Sequence, residues 1–215
     1  MTAQQQIDIE RLATLKLAKG SHKTPQDGVC LMEAVAWVRG IAHTDHPPCV
    51  CPVLGAFGRR LNDRFGDEQR QELIALIPAL IGTADDGLMP QRMFLAVDWV
   101  VREVLPKRLR MLGLEQEALS LESLNAITNR KQAGIARDLC YEIRKKTYAA
   151  AYAADADVAA AYDGVDDVAA DASIAAAYAA VADVAAVAAY AAAAVAYANA
   201  VSCFKRMIFL GKENQ

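Results

Sequence analysis

All three histidines of this 215-residue chain, and three of its five cysteines, fall between Gly20 and Asn62. These are His22, His43 and His46, with Cys30, Cys49 and Cys51. The sharpest pattern is His43-x-x-His46-x-x-Cys49-x-Cys51, two imidazoles and two thiols that could supply tetrahedral zinc with four ligands. Asp45 could orient one of the histidines from behind. The spacing is poor for a closed zinc site, which usually joins two ligand pairs across a long span and uses C-x-x-C. Pro47-Pro48 also stiffens the middle. The plainer expectation is a proline-rich loop with its thiols packed inward and no cofactor, with zinc as the alternative.

Two carboxylates stand alone in apolar surroundings, Glu33 in VCLMEAVAWV and Asp98 in FLAVDWVV. A lone buried charge is costly, so each needs a partner or a shifted pKa. Helix-to-helix ion pairs with Arg39, Arg59, Arg60 or Arg102 would satisfy them. A second reading joins Glu33, Asp98, His22, His43 and Asp45 into a metal-dependent phosphohydrolase site between helices. No ExxE pair or His-Asp dipeptide anchors it. Thiol nucleophiles beside histidine are possible but unspecific. There is no phosphate-binding glycine loop. The basic runs at Arg59-Arg60, Lys107-Arg108-x-Arg110 and Arg144-Lys145-Lys146 lack the interleaved aromatics of a single-strand-binding surface, so nucleic acid is not the expected partner.

The elements that must hold these groups are helical. Apolar spacing predicts helices over Ile7–Lys19, from Thr24-Pro25 to Arg39 (apolar almost all round from Val29 to Val38), Pro52–Phe65, Asp67–Ile81, Met89–Leu105 and 114–127, then a longer one capped by Thr128 or Asn129. Pro78 should kink or shorten the fourth, and Pro106 should end or bend the fifth. The KRLRML run reads as a basic turn closed by Gly113. No run alternates as a strand would, so the fold class is all-α. The 29–39 and 90–105 helices, the most apolar, should be central. Trp37, Phe57, Leu61, Ile77, Phe94 and Trp99 should be core.

Beyond Tyr148 the composition changes. Residues 149–200 hold 29 alanines in 52, and DADVAAAYDGVDDVAA (155–170) is nearly repeated as DASIAAAYAAVADVAA (171–186). We therefore divide the chain into a helical bundle, 1–147, and an Ala-rich helical extension with a C-terminal anchor, 148–215. Alanine is the best helix former, so the extension should be helix, broken at Gly164 into roughly 130–162 and 166–209. Phe204, Met207, Ile208 and Leu210 should anchor its end on the body. Close approach of alanine faces suits self-association.

Charge follows the same division. Residues 1–147 carry 20 Lys+Arg against 18 Asp+Glu, whereas 148–204 carry seven Asp and no Lys or Arg, within a total of −3. Val184–Phe204 is uncharged and long enough for a membrane span, but alanine is nearly neutral toward lipid, so no membrane partner is expected. The opening MTAQQQIDIERL has no apolar signal-peptide region, and the odd cysteine count is not a disulfide framework. Both favour the cytoplasm.

Several motifs together carry a resemblance. GSH-x-TP-x-x-G-x-C-x-MEAVAW (Gly20–Trp37) is followed by HTD-x-P-x-CVCPVL (His43–Leu54), LND (Leu61–Asp63), Gly82-Thr83 and VDWVVR (Val97–Arg102). Over roughly residues 15–113 the chain resembles a family of helical proteins from phages and bacterial, often actinobacterial, genomes, some with variable Ala-rich tracts near the C-terminus. The resemblance implies a shared helical domain and a phage or prophage setting. It implies no activity and no catalytic residue. It also implies that Asp45, Pro47, Cys49, Pro52 and Val53 are the recurrent positions and His46 and Cys51 the variable ones, which favours a structural loop over zinc. The function expected from all this is non-enzymatic binding of a protein partner. The alternatives are a metal-dependent hydrolase using His43, His46, Asp45 and Glu33, and a nucleic-acid binder.

Overall fold

The computed structural model describes residues 8–154 and 193–212, and the side chains of 8–143 and 198–212. Among them the fold is all-α, with no strand. The chain divides into two compact units, Met1–Met89 with Phe204–Gln215, and Pro90–Cys203. This division is by contacts and differs from the compositional one at 147/148; its first unit takes in the chain's far end.

The first unit is built on α2 (Leu31–Val38) and α3 (Pro52–Arg64). In α2 every residue from Leu31 to Ala36 is buried, as its all-round apolar sequence requires. Pro52 occupies the first turn of α3, where its missing N–H costs nothing. Val53, Leu54, Phe57 and Leu61 form the buried side of α3. The short α1 (Ile9–Ala13) is capped by Asp8, whose carboxylate accepts from the Arg11 N–H at 3.0 Å. It stops well before Lys19. Leu17 is held instead by the Gln71 side chain, which accepts from its N–H at 2.8 Å and donates to its carbonyl at 3.0 Å. That tertiary pairing outweighs local helix periodicity. The 67–81 stretch is likewise interrupted, into α4 (Asp67–Glu72), a 3-10 turn (Leu73–Leu76) and α5 (Ile77–Leu80). Pro78 has no N–H for the preceding turn, so it starts a helix and does not continue one.

Two expected core residues are only half-buried, Trp37 and Phe94. Trp37 lies at the rim of α2, with the Arg11 guanidinium 5.9 Å from its ring centroid and donating to its carbonyl at 2.8 Å. Phe57, Leu61, Ile77 and Trp99 are buried as expected.

The second unit begins with α6 (Met89–Trp99), continues through a π-helical turn (Val100–Val104), and becomes α7 (Leu105–Met111). Pro106 explains the π turn. It cannot donate to the turn before it, and widening the helix, with the Leu105 N–H reaching the Val100 carbonyl, makes room for its ring. The KRLRM run is therefore helix, and the turn follows it at Gly113, which has φ 77°. α8 (Glu115–Glu122) packs on α7 and on α9 (Arg130–Ala154), which Asn129 caps through the Gln132 N–H at 3.1 Å. On α9, Ala133, Ala136, Cys140 and Ile143 face inward, while Ile135 is 52% exposed.

Asp98 is tied within this unit. It accepts from Arg102 at 3.0 Å, one turn along the helix, and from the Ile127 N–H at 2.8 Å. It thus anchors the loop before α9. Asp98→Ala should strand that N–H and cost about 1–3 kcal/mol in urea unfolding, whereas Asp98→Asn keeps an acceptor and should cost less.

The last helix, α10, spans Ala193–Ile208. Among the described residues no helix is long and apolar enough to cross a membrane. The expected break at Gly164, the repeat at 155–186 and the first half of the candidate span lie outside the described residues.

Candidate functional site

The polar cluster of the first unit is organised by Glu33, whose side chain is 1% exposed. The cluster begins with local chain logic. Cys30 is the N-cap of α2 and Glu33 its third residue. The Glu33 N–H reaches the Cys30 sulfur at 3.5 Å, and the Cys30 N–H donates to Glu33 Oε2 at 2.8 Å. This is a capping box with cysteine in the place of serine. C-x-x-E is the signal in the sequence that would have assigned Glu33 to a helix start, where an isolated internal charge was expected.

The Gly20–Cys30 loop then folds back onto the same carboxylate. The His22 N–H donates to Oε1 at 2.7 Å, the Ser21 hydroxyl to Oε1 at 3.2 Å, and His22 Nδ1–H to Oε2 at 2.8 Å. Since the carboxylate only accepts, the proton of neutral His22 sits on Nδ1. The helix expected to open at Thr24-Pro25 makes only a 3-10 turn, Pro25–Asp27, because Gly28 turns the chain out of it and α2 starts afresh at Leu31; the Ala18 N–H reaches the Val29 carbonyl at 2.8 Å. Gly28 has φ 126°, and a Cβ there would come within 2.9 Å of His22 Nε2. Glycine is needed both for the conformation and for the imidazole's place. His43 joins from the next loop. Its Nε2 donates to the His22 carbonyl at 2.8 Å and lies 3.7 Å from Glu33 Oε1.

The electrostatics follow from this arrangement. Burial pushes the Glu33 carboxyl up, but the His22 and Cys30 N–H groups and the His22 imidazole outweigh it and hold the group below its ordinary value. Glu33 is therefore ionised at neutral pH. The Cys30 thiol is pushed up to about 12, chiefly by burial and also by the neighbouring Glu33 charge, against partial relief from backbone N–H groups. Burial also raises the Cys49 thiol, and nearby Arg39 only partly offsets it. Neither thiol is prepared as a thiolate nucleophile. In the native protein Cys30 should resist iodoacetamide at pH 8 and react on denaturation, which peptide mass mapping reads directly.

Of the four expected zinc ligands, the side chains of His43, His46 and Cys49 have separate partners, and Cys51 is fixed through its backbone. His43 is turned toward His22 and Glu33. His46 pairs with Asp45 at 2.7 Å, on the surface. Cys49 lies beside Arg39, its carbonyl accepting from the Gly82 N–H at 2.9 Å. Cys51 is buried at the N-cap of α3, its N–H donating to the Thr83 hydroxyl at 2.9 Å. Among the described residues no group of three or more His, Cys, Asp or Glu side chains is placed to hold a metal ion. His43, His46, Cys49 and Cys51 are thus not brought together as one donor set; the loop that carries them turns at Pro47–Val50 and is held at Cys49 and Cys51 by Gly82-Thr83. Asp45 does meet a histidine, and its carbonyl accepts from Arg59 at 2.8 Å. Asp98, which the phosphohydrolase reading required, is engaged in the second unit by Arg102 and Ile127.

Other joints of the cluster are made by Asn62, Asp63 and Thr83, residues of the LND and Gly82-Thr83 motifs that neither the metal nor the hydrolase reading uses. Asn62 is buried, accepting from the Leu31 N–H at 3.1 Å and donating to the Ala18 carbonyl at 2.9 Å. Thr83 donates to the Leu80 carbonyl at 2.7 Å while receiving Cys51. Asp63 accepts from the Gly20 N–H at 2.9 Å. The motif residues in this unit thus bind loops to helices. In the Lys107–Arg110 run, Arg110 pairs with Glu115 at 3.0 Å and with Glu122 at 2.6 Å.

Compared with protein-family models, with curated proteins and with solved structures, the chain matches none.

Proposed function

We propose that this is a phage-type, cytoplasmic helical protein that acts by binding another protein and catalyses no reaction. One observation carries the reading. The Glu33 carboxylate, the group best suited to chemistry, is surrounded by four structural donors from Ser21, His22 and Cys30. A catalytic acid or base needs a free position facing substrate. Glu33 instead closes a loop. In the second unit Met111, at 69%, and Ile135, at 52%, are the apolar side chains of α7 and α9 that a partner could reach.

Photo-crosslinkers placed at Met111 or at Ile135 in bacterial cells should give a discrete, saturable protein adduct from at least one of the two sites. No adduct from either site would count against the reading. Elemental analysis of protein purified without a metal-affinity tag bears on the rival reading. About one equivalent of zinc, lost with Cys49→Ala, would favour the metal-dependent hydrolase. Binding to DNA or RNA that falls steeply with salt would favour the nucleic-acid reading.

A further inference from the structure

We propose that the place on the first unit occupied by the end of α10 is an exchangeable docking site, and that in a dimer it receives the same segment, Phe204–Ile208, from a second copy of this chain. This does not depend on the protein-binding reading above.

The chain leaves the first unit after Met89 and returns to it at Phe204, with the whole of Pro90–Cys203 between. What returns is a short amphipathic plug. Phe204, Met207 and Ile208 are fully buried, whereas Lys205 and Arg206 are exposed. The seat is shaped for an aromatic ring. The Phe204 ring stacks on Phe57, with centroids 5.5 Å apart and planes 11° from parallel. Gly58 leaves the space it fills, for a Cβ there would lie 3.1 Å from Phe204 Cζ, 3.0 Å from Met32 Cε and 3.1 Å from Leu31 Cδ2. A plug from a second copy would make the same contacts. Their energies cancel between the closed monomer and the exchanged dimer, and concentration sets the balance. Reciprocal exchange gives a closed two-fold dimer that leaves neither seat empty.

A complementation pair of full-length chains tests this. Gly58→Leu fills the seat and keeps the plug, while Phe204→Ala keeps the seat and weakens the plug. Each alone should be monomeric by light scattering. Mixed, they should form a species of twice the 23.1 kDa monomer mass. A mixture that stays monomeric, with both variants folded by circular dichroism, overturns the proposal. The unmodified chain decides the matter if either variant does not fold. Heavy-isotope and unlabelled pools, combined at high concentration, should give mixed-isotope dimers by native mass spectrometry, in a fraction that rises with concentration. Monomer at every concentration, or a dimer undiminished by Phe204→Ala, refutes it.

Discussion

Glu33→Ala should be among the most damaging single substitutions in the chain, costing on the order of 3–5 kcal/mol in denaturant unfolding. Removing the carboxylate leaves the His22 and Cys30 N–H groups without their acceptor, and each stranded buried donor costs about 1–3 kcal/mol. It also frees the His22 ring and, through the His22 carbonyl, loosens His43. Glu33→Gln should rescue only part of this. Its oxygen can accept from Ser21 and His22, but its NH₂ would face donors on the other side. The pH dependence gives a second readout. The folded pKa lies below the ordinary value of 4.5, so the contribution is complete above that value. It is lost as pH falls through the folded value, because the unfolded chain takes up the proton more readily. Wild-type stability should therefore drop on acidification below about pH 4.5, and the drop should be shallower in Glu33→Gln. Equal acid slopes in the two proteins would mean that Glu33 is not the group responsible.

Phe204→Ala should cost about 3–5 kcal/mol, the range for truncating a fully buried phenylalanine. The ring it removes is 0% exposed and stacked on Phe57. Because Gly58 provides the space, the cavity has a natural filler, and Gly58→Ala in the Phe204→Ala background should recover some of the loss. In the wild-type background the same Gly58→Ala change should destabilise. There its gain in helix propensity, about 1 kcal/mol, is set against overpacking of Met32, Leu31 and Phe204, which costs about 1–3 kcal/mol. Opposite signs in the two backgrounds are the expected double-mutant result. Additive effects would mean that Gly58 and Phe204 do not share a packing site.

Class and core were legible in the residue order because they depend on periodicity. A run such as Leu31–Val38, apolar but for Glu33, can only be a buried helix here, and 200, 203, 204, 207, 208 is a helical face wherever it docks. Prolines were legible as interruptions, but not in kind. Pro78 divides a helix, whereas Pro106 widens one into a π turn, and the surrounding packing chooses between them. The candidate site was legible as a location. That Glu33 and the three histidines cluster between Gly20 and Asn62 is written in the sequence, and C-x-x-E even marks the cap. What only the tertiary structure decided is which partner each group takes. His43 lies three residues from His46 and six from Cys49, yet its hydrogen bond goes to the carbonyl of His22. Leu17 abandons a helical pattern for a side chain at Gln71, and Phe204 completes a core begun at Leu31. Sequence spacing determines which groups can share one face of a helix. Across a loop, partner choice is set by which buried donors and acceptors must be satisfied at once, and that condition involves residues far apart in the chain.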